Sequence, residues 1–127
     1  MKAVHLFEPR LAFLKKTTSE DTPMMLIREV FYCKPGKVRP MVDKFLAMSG
    51  IQEKAGLPRF RVMTDFAGER YWTIVIEMEV KNMQDFEEMM SGKGMTEEMG
   101  KQFEELMKGY HDLIDHGRRE IYKIEGT

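Results

Sequence analysis

Cys33 is the only cysteine in the chain. Its solitude excludes an internal disulfide and any multi-cysteine metal site. No apolar run approaches the roughly 18 residues that a membrane-spanning helix needs. Neither sign of charge is in excess: Lys plus Arg is 20 and Asp plus Glu is 21, for a net charge of −1. That balance argues against a nucleic-acid binder, which would show a basic excess or stripe. Residues 1–23 have no long apolar h-region and no small-residue cleavage site, so they do not read as a secretory signal. Glu8, Glu20 and Asp21 count against a transit peptide. The expectation is a cytoplasmic protein with neither a membrane nor a nucleic acid as partner.

What is present suits one folded domain. The chain has 127 residues, 43% of them apolar and 32% charged, enough to build a core in a chain of single-domain length. Thirteen methionines are an unusual number. Methionine is flexible and polarisable, and surfaces rich in it can bind promiscuously. Most of these residues fall on apolar helix or strand positions, where they read as fillers of core gaps. Residues 1–23 read either as an arm, loosely tied or disordered, or as a start-site artefact with Met24 or Met25 as the functional start. Residues 24–127 read as the domain.

Met25 to Cys33 (MLIREVFYC) is rich in β-branched, aromatic and apolar residues and reads as a strand ended by Pro35-Gly36. Lys37 to Ala55 reads as a helix, because Val38, Met41, Val42, Phe45 and Met48 repeat at three and four. Pro40 is tolerated in its first turn, and Gly56 suits the position just past its end. Arg59–Asp65 and Arg70–Val80 read as a hairpin around Gly68. A three-residue loop puts Phe60 and Val62 on one apolar face with Trp72, Ile74 and Ile76; a slip by one residue would reverse every side chain. Asn82 caps a short helix with Asp85 at the box position. Ser91-Gly92-Lys93-Gly94 breaks the chain, and Thr96 caps a longer helix. That helix is predicted to run to Gly117 along the stripe Met99, Phe103, Leu106, Met107, Tyr110, Leu113 and Ile114. Arg119–Glu125 is the last strand.

Strand, helix, strand, strand, helix, strand is the α+β, ferredoxin-like β-α-β-β-α-β order. Its four-stranded antiparallel sheet carries the helices on one face. The opposite face would hold Tyr71, Thr73, Val75 and Met63 with Arg61, Asp65 and Glu77. Such a mixed face suits a homodimer in which two sheets pack together.

Lys34-Pro35-Gly36-Lys37 after the first strand, and the closing Gly117-Arg118-Arg119-Glu120-Ile121-Tyr122, resemble the dimeric α/β-barrel superfamily over residues 25–125. The nearest flavour is NIPSNAP-type, whose first strand also runs into a Lys-Pro-Gly turn, beside the antibiotic-biosynthesis-monooxygenase-like proteins. The resemblance implies a homodimer whose sheets close into a barrel. The superfamily also includes haem-degrading enzymes, small-molecule isomerases, dehalogenases and many proteins with no assigned activity. Haem-degrading members use an Asn, a Trp and a His. Trp72 matches the tryptophan by strand position, but Met89 or Met90 stands where the histidine would be, and the first strand has no asparagine. The resemblance therefore does not extend to haem degradation, and Trp72 reads as a core residue opening an apolar face.

Two constellations carry candidate chemistry. Glu77 and Asp65 are candidate proton acceptors, with Arg61, Tyr71, Trp72 and Tyr32 as candidate ligand-binding residues. The competing reading is a network of paired charges at a dimer interface. His111 and His116 bracket Asp112 and Asp115, and at helical spacing His111 would face Asp115 and Asp112 would face His116. They fall off the apolar stripe, so solvation near a helix C-terminus explains them as well. The histidines are five apart, which is not zinc spacing. No metal and no cofactor is expected. The sequence supports a structural or small-molecule-binding module, with a cofactor-independent monooxygenase or isomerase-like enzyme acting on a small organic substrate as the alternative. The polar arm carries a prediction: deleting residues 1–22 leaves the thermal melting temperature nearly unchanged by calorimetry, and a large drop would show that the arm packs.

Overall fold

The computed structural model describes residues 24–126. The expected arm, residues 1–23, lies outside the described residues. Four strands and three helices follow: β1 Met25–Cys33, α1 Val38–Lys54, β2 Arg61–Thr64, β3 Thr73–Val80, α2 Met83–Met90, α3 Glu97–Leu106 and β4 Ile114–Lys123, with a 3-10 turn at Tyr110–Asp112. The sheet is antiparallel throughout, in the order β2-β3-β1-β4. This is the ferredoxin-like order, with β1 and β3 in the centre.

Local chemistry explains the helix ends. α1 closes as a Schellman motif: Leu57 N–H donates to Gln52 O (3.0 Å) and Gly56 N–H to Glu53 O (3.1 Å). Asn82 Oδ1 accepts from Asp85 N–H (2.8 Å) and Thr96 Oγ1 from Met99 N–H (3.2 Å), so both side chains satisfy donors that a helix start leaves unpaired.

One face of the sheet meets the helices. Met41, Val42 and Phe45 of α1 pack against Cys33, Phe60, Ile74 and Ile76, with Met48, Met78 and Met107 around them. A second cluster joins Ile27 and Val80 to Phe86 of α2, with Met25, Met83 and Met89 beside it. These methionines fill gaps under the helices, as their positions in the sequence imply, whereas Met24, Met63 and Met90 are exposed. Phe31 and Phe45 rings lie 5.0 Å apart across the α1–β1 contact. Ser49 is buried with its hydroxyl donating to Phe60 O (3.0 Å), so it leaves no unsatisfied group.

Three local expectations are corrected. The third helix stops at Leu106, and Gly109 turns left-handed at φ 77°. Tyr110, Leu113 and Ile114 still reach the core, but from the 3-10 turn and the start of β4. The apolar stripe holds, but its helical period ends nearly three turns before Gly117. Gly117 is therefore no helix stop. It lies in β4 opposite Phe31, where an added Cβ would come within 2.8 Å of Val30 O. The β2–β3 connection is longer than three residues, because β2 ends at Thr64 and β3 begins at Thr73. Val62 still pairs with Ile76, so the predicted facing holds. Trp72 does not open that face: it sits in the loop at φ 62° and is 43% exposed. Its carbonyl accepts from Cys33 N–H (2.8 Å), which ties the loop to the end of β1.

Two substitutions test this packing. Met41, with 0% exposure, should cost about 2–5 kcal/mol as Met41→Ala in urea unfolding, through lost burial and a residual cavity. Gly117→Ala should cost about 1–3 kcal/mol, because its new Cβ meets backbone that cannot step aside. A neutral Gly117→Ala would contradict the register of β4.

Candidate functional site

Strand alternation assigns the second face. β1 sends Leu26, Arg28, Val30 and Tyr32 to it, opposite Glu79, Glu77, Val75 and Thr73 of β3. β2 adds Arg61 and Met63 by pairing with Glu77 and Val75. β4 adds His116, Arg118, Glu120 and Tyr122 on the other flank.

An ion-pair band crosses this face. Arg28 is at its centre and donates through Nε to Glu77 Oε2 (2.7 Å). Arg61 Nε lies 3.4 Å from Glu77 Oε1, so both oxygens of a carboxylate that is 12% exposed are engaged. Arg28 also approaches Glu120 at 3.7 Å. Glu120 accepts from Arg118 Nε (3.0 Å) and from the Tyr122 hydroxyl (3.1 Å). Arg118 extends the chain of contacts to the Tyr32 hydroxyl. Arg28 stacks over the Tyr122 ring (5.4 Å), and Arg70 lies over the Tyr32 ring (4.2 Å). Arg70 also donates to His116 Nε2 (3.0 Å). An arginine only donates, so in the neutral ring the proton sits on Nδ1, 2.9 Å from Asp115 Oδ2.

Hydrogen bonding shifts the titration of some of these groups. Hydrogen bonding to Glu77 raises the Arg28 guanidinium further above its ordinary range. Hydrogen bonds from Arg118 and then Tyr122 hold the Glu120 carboxyl below the usual carboxylate value. Burial pushes the Cys33 thiol up, which disfavours the thiolate a nucleophile needs. Among the described residues, no group of three His, Cys, Asp or Glu side chains is placed to share a metal ion.

The face encloses an open concavity of about 370 Å³, lined by Arg28, Tyr32, Arg70, Glu77, Arg118 and Glu120 among others. Of the residues singled out in the sequence, Tyr32, Asp65 and Glu77 line it. Arg61 joins them through its pair with Glu77. Asp65 Oδ1 also accepts from Thr73 N–H (2.9 Å), which ties the β2–β3 connection across its base. Tyr71, Trp72 and His111 do not line the concavity. Tyr71 is 85% exposed, and His111 stacks on Tyr110 at 3.9 Å in the 3-10 turn. The helical His111–Asp115 and Asp112–His116 pairings do not form, because no helix spans those residues.

Four charged residues of the face were missed in the sequence: Arg28, Arg70, Arg118 and Glu120. A signal for one of them, Arg28, was present. Arg28, Val30 and Tyr32 alternate in β1, and antiparallel pairing with Glu77, Val75 and Thr73 would have set their facing.

No family model and no curated protein matches the sequence. Solved structures do match. A NIPSNAP domain protein from Burkholderia xenovorans superimposes with a TM-score of 0.62 at 13% identity, covering 78% of this chain and 92% of the other. A NIPSNAP family protein of unknown function from Agrobacterium tumefaciens gives 0.59 at 17%, covering 82% and 90%. The chain has the NIPSNAP-like fold. A Bacillus cereus protein provisionally assigned as an antibiotic biosynthesis monooxygenase also matches, with a TM-score of 0.56 at 17% identity over 84% of this chain and 97% of that one. The NIPSNAP-like sheet of this chain thus shares its architecture with proteins of differing description, and architecture alone assigns no activity.

A pH dependence follows from Glu120. Its carboxyl is lowered in the folded state, so its contribution to stability is present above the unfolded carboxylate value and is lost as pH falls through the folded one. Glu120→Gln should lower the melting temperature at pH 7, and the gap from wild type should close below about pH 4. A gap that persists unchanged at pH 3 would show that Glu120 acts through packing instead.

Proposed function

We propose that this chain is a homodimeric, non-catalytic module that binds a small organic molecule, with two copies packed through their open sheet faces. One observation carries the reading: the charges of the open face are closed among themselves within one chain. Arg61, Glu77, Arg28, Glu120 and Arg118 form a continuous band of pairs. Burying an unpaired charge is costly, whereas paired and hydrogen-bonded charges enter an interface with most of their needs met. Leu26, Met63, Val75 and Tyr122 supply apolar area around the band. Such a face is suited to an isologous contact, in which the same patch meets itself across a two-fold axis.

The same observation weighs against acid–base chemistry on this face. A general base must be free to reach the proton it abstracts. Glu77 is held by two arginines, Glu120 by Arg118 and Tyr122, and Asp65 by a backbone amide. The likeness to the Bacillus cereus protein supports the fold and leaves the chemistry to these residues.

Native mass spectrometry at micromolar concentration tests the reading. The expected result is twice the 14.9 kDa chain mass. Val75→Lys, which places an unpaired ammonium in the centre of the face, should give a monomer. A wild-type monomer, or a Val75→Lys dimer, would contradict the proposal.

A further inference from the structure

The helix-covered side of the sheet is not completely filled. Between α1, α2 and the sheet lies a pocket of about 150 Å³. Phe45, Phe60, Ile76 and Phe86 form its apolar walls, together with Met48 and Met89. Met90, 57% exposed, stands at its rim.

Two polar side chains line this pocket. Glu29 is held by Arg119, which donates to it from β4. Gln52 has no such partner: its Oε1 is buried without a hydrogen bond. An unsatisfied buried carbonyl is costly and uncommon in a folded protein. A single water reaching Gln52 would leave the apolar remainder of the pocket empty.

We propose that this pocket binds a small, neutral, apolar molecule carrying one hydroxyl group, with the hydroxyl on the Gln52 carboxamide. Size sets the first limit, since an apolar cavity of about 150 Å³ holds a molecule the size of benzene. Charge sets the second. An anion would lie among phenylalanines and methionines with Arg119 already engaged by Glu29. The hydroxyl follows from Gln52. A hydroxyl both donates and accepts, so it serves the carboxamide in either orientation of its oxygen and nitrogen. The methionines suit the role because their flexible thioethers adapt to a small guest and make favourable contacts with aromatic rings. This inference rests on the reading of the protein as a small-molecule binder and is independent of its dimerisation.

The test is an NMR titration of methyl-labelled methionine in the full chain, with phenol, cyclohexanol and toluene as probes. Native mass is recorded on the same sample, so a failed dimer and an empty pocket are told apart. Phenol or cyclohexanol should saturate at one per chain and shift the methyls of Met48 and Met89. Toluene, which has phenol's shape without its hydroxyl, should bind at least about tenfold more weakly. Gln52→Leu should remove that preference while leaving toluene binding intact. The wild-type comparison stands by itself if that variant folds poorly. No saturable shift with either alcohol, or equal binding of phenol and toluene to wild type, would overturn the proposal. Benzoate binding more tightly than phenol would also overturn it, by showing a cation free to meet the ligand.

Discussion

A four-stranded sheet has two faces; α1 and α2 pack on one of them, and α3 packs against α1. That asymmetry is the constraint on which the rest of the molecule depends. β1 and β3 are central strands, so their backbone groups are satisfied on both sides and their side chains must answer to two different environments. Alternation gives Ile27, Phe31 and Cys33 to the helices and Arg28, Val30 and Tyr32 to the open side.

The two faces reach stability by different physics. Under the helices, aromatic rings and thioethers close-pack, and Met41 and Ile74 are completely buried. On the open side, arginine head groups pair with Glu77 and Glu120. Val30 is 3% exposed on that side because its cross-strand neighbours already shelter it. The open face is therefore neither an ordinary solvated surface nor a core. Its pairing engages both oxygens of Glu77, the carboxylate that reads as a candidate proton acceptor in the sequence.

Much of this architecture was legible from residue order. The strand Met25–Cys33, the caps at Asn82 and Thr96, the stop at Gly56 and the facing of Val62 with Ile76 follow from local rules of alternation and capping. Errors arose where tertiary pairing outweighed local period. Tyr110, Leu113 and Ile114 continue a helical stripe, yet β1 recruits the chain from Ile114 onward into its second ladder. Trp72 continues a strand alternation, yet the loop that Asp65 ties to Thr73 holds it in a left-handed conformation. The site was legible only in part, because each cross-strand charge pair requires a register. Glu77 is a lone acidic residue until Arg28 and Arg61 stand opposite it. Gln52 gave no signal, because a glutamine in an amphipathic helix looks like a solvated one.

The burial of the open sheet face in the working protein is the central claim, and hydroxyl-radical footprinting tests it most directly. Met63 and Tyr122 lie on that face, whereas Leu46 and Met90 are exposed elsewhere. At micromolar concentration Met63 and Tyr122 should be protected from oxidation, and dilution should expose them while Leu46 and Met90 react throughout. Equal oxidation of Met63 and Met90 at every concentration would mean that the open face meets water, and the account would be wrong.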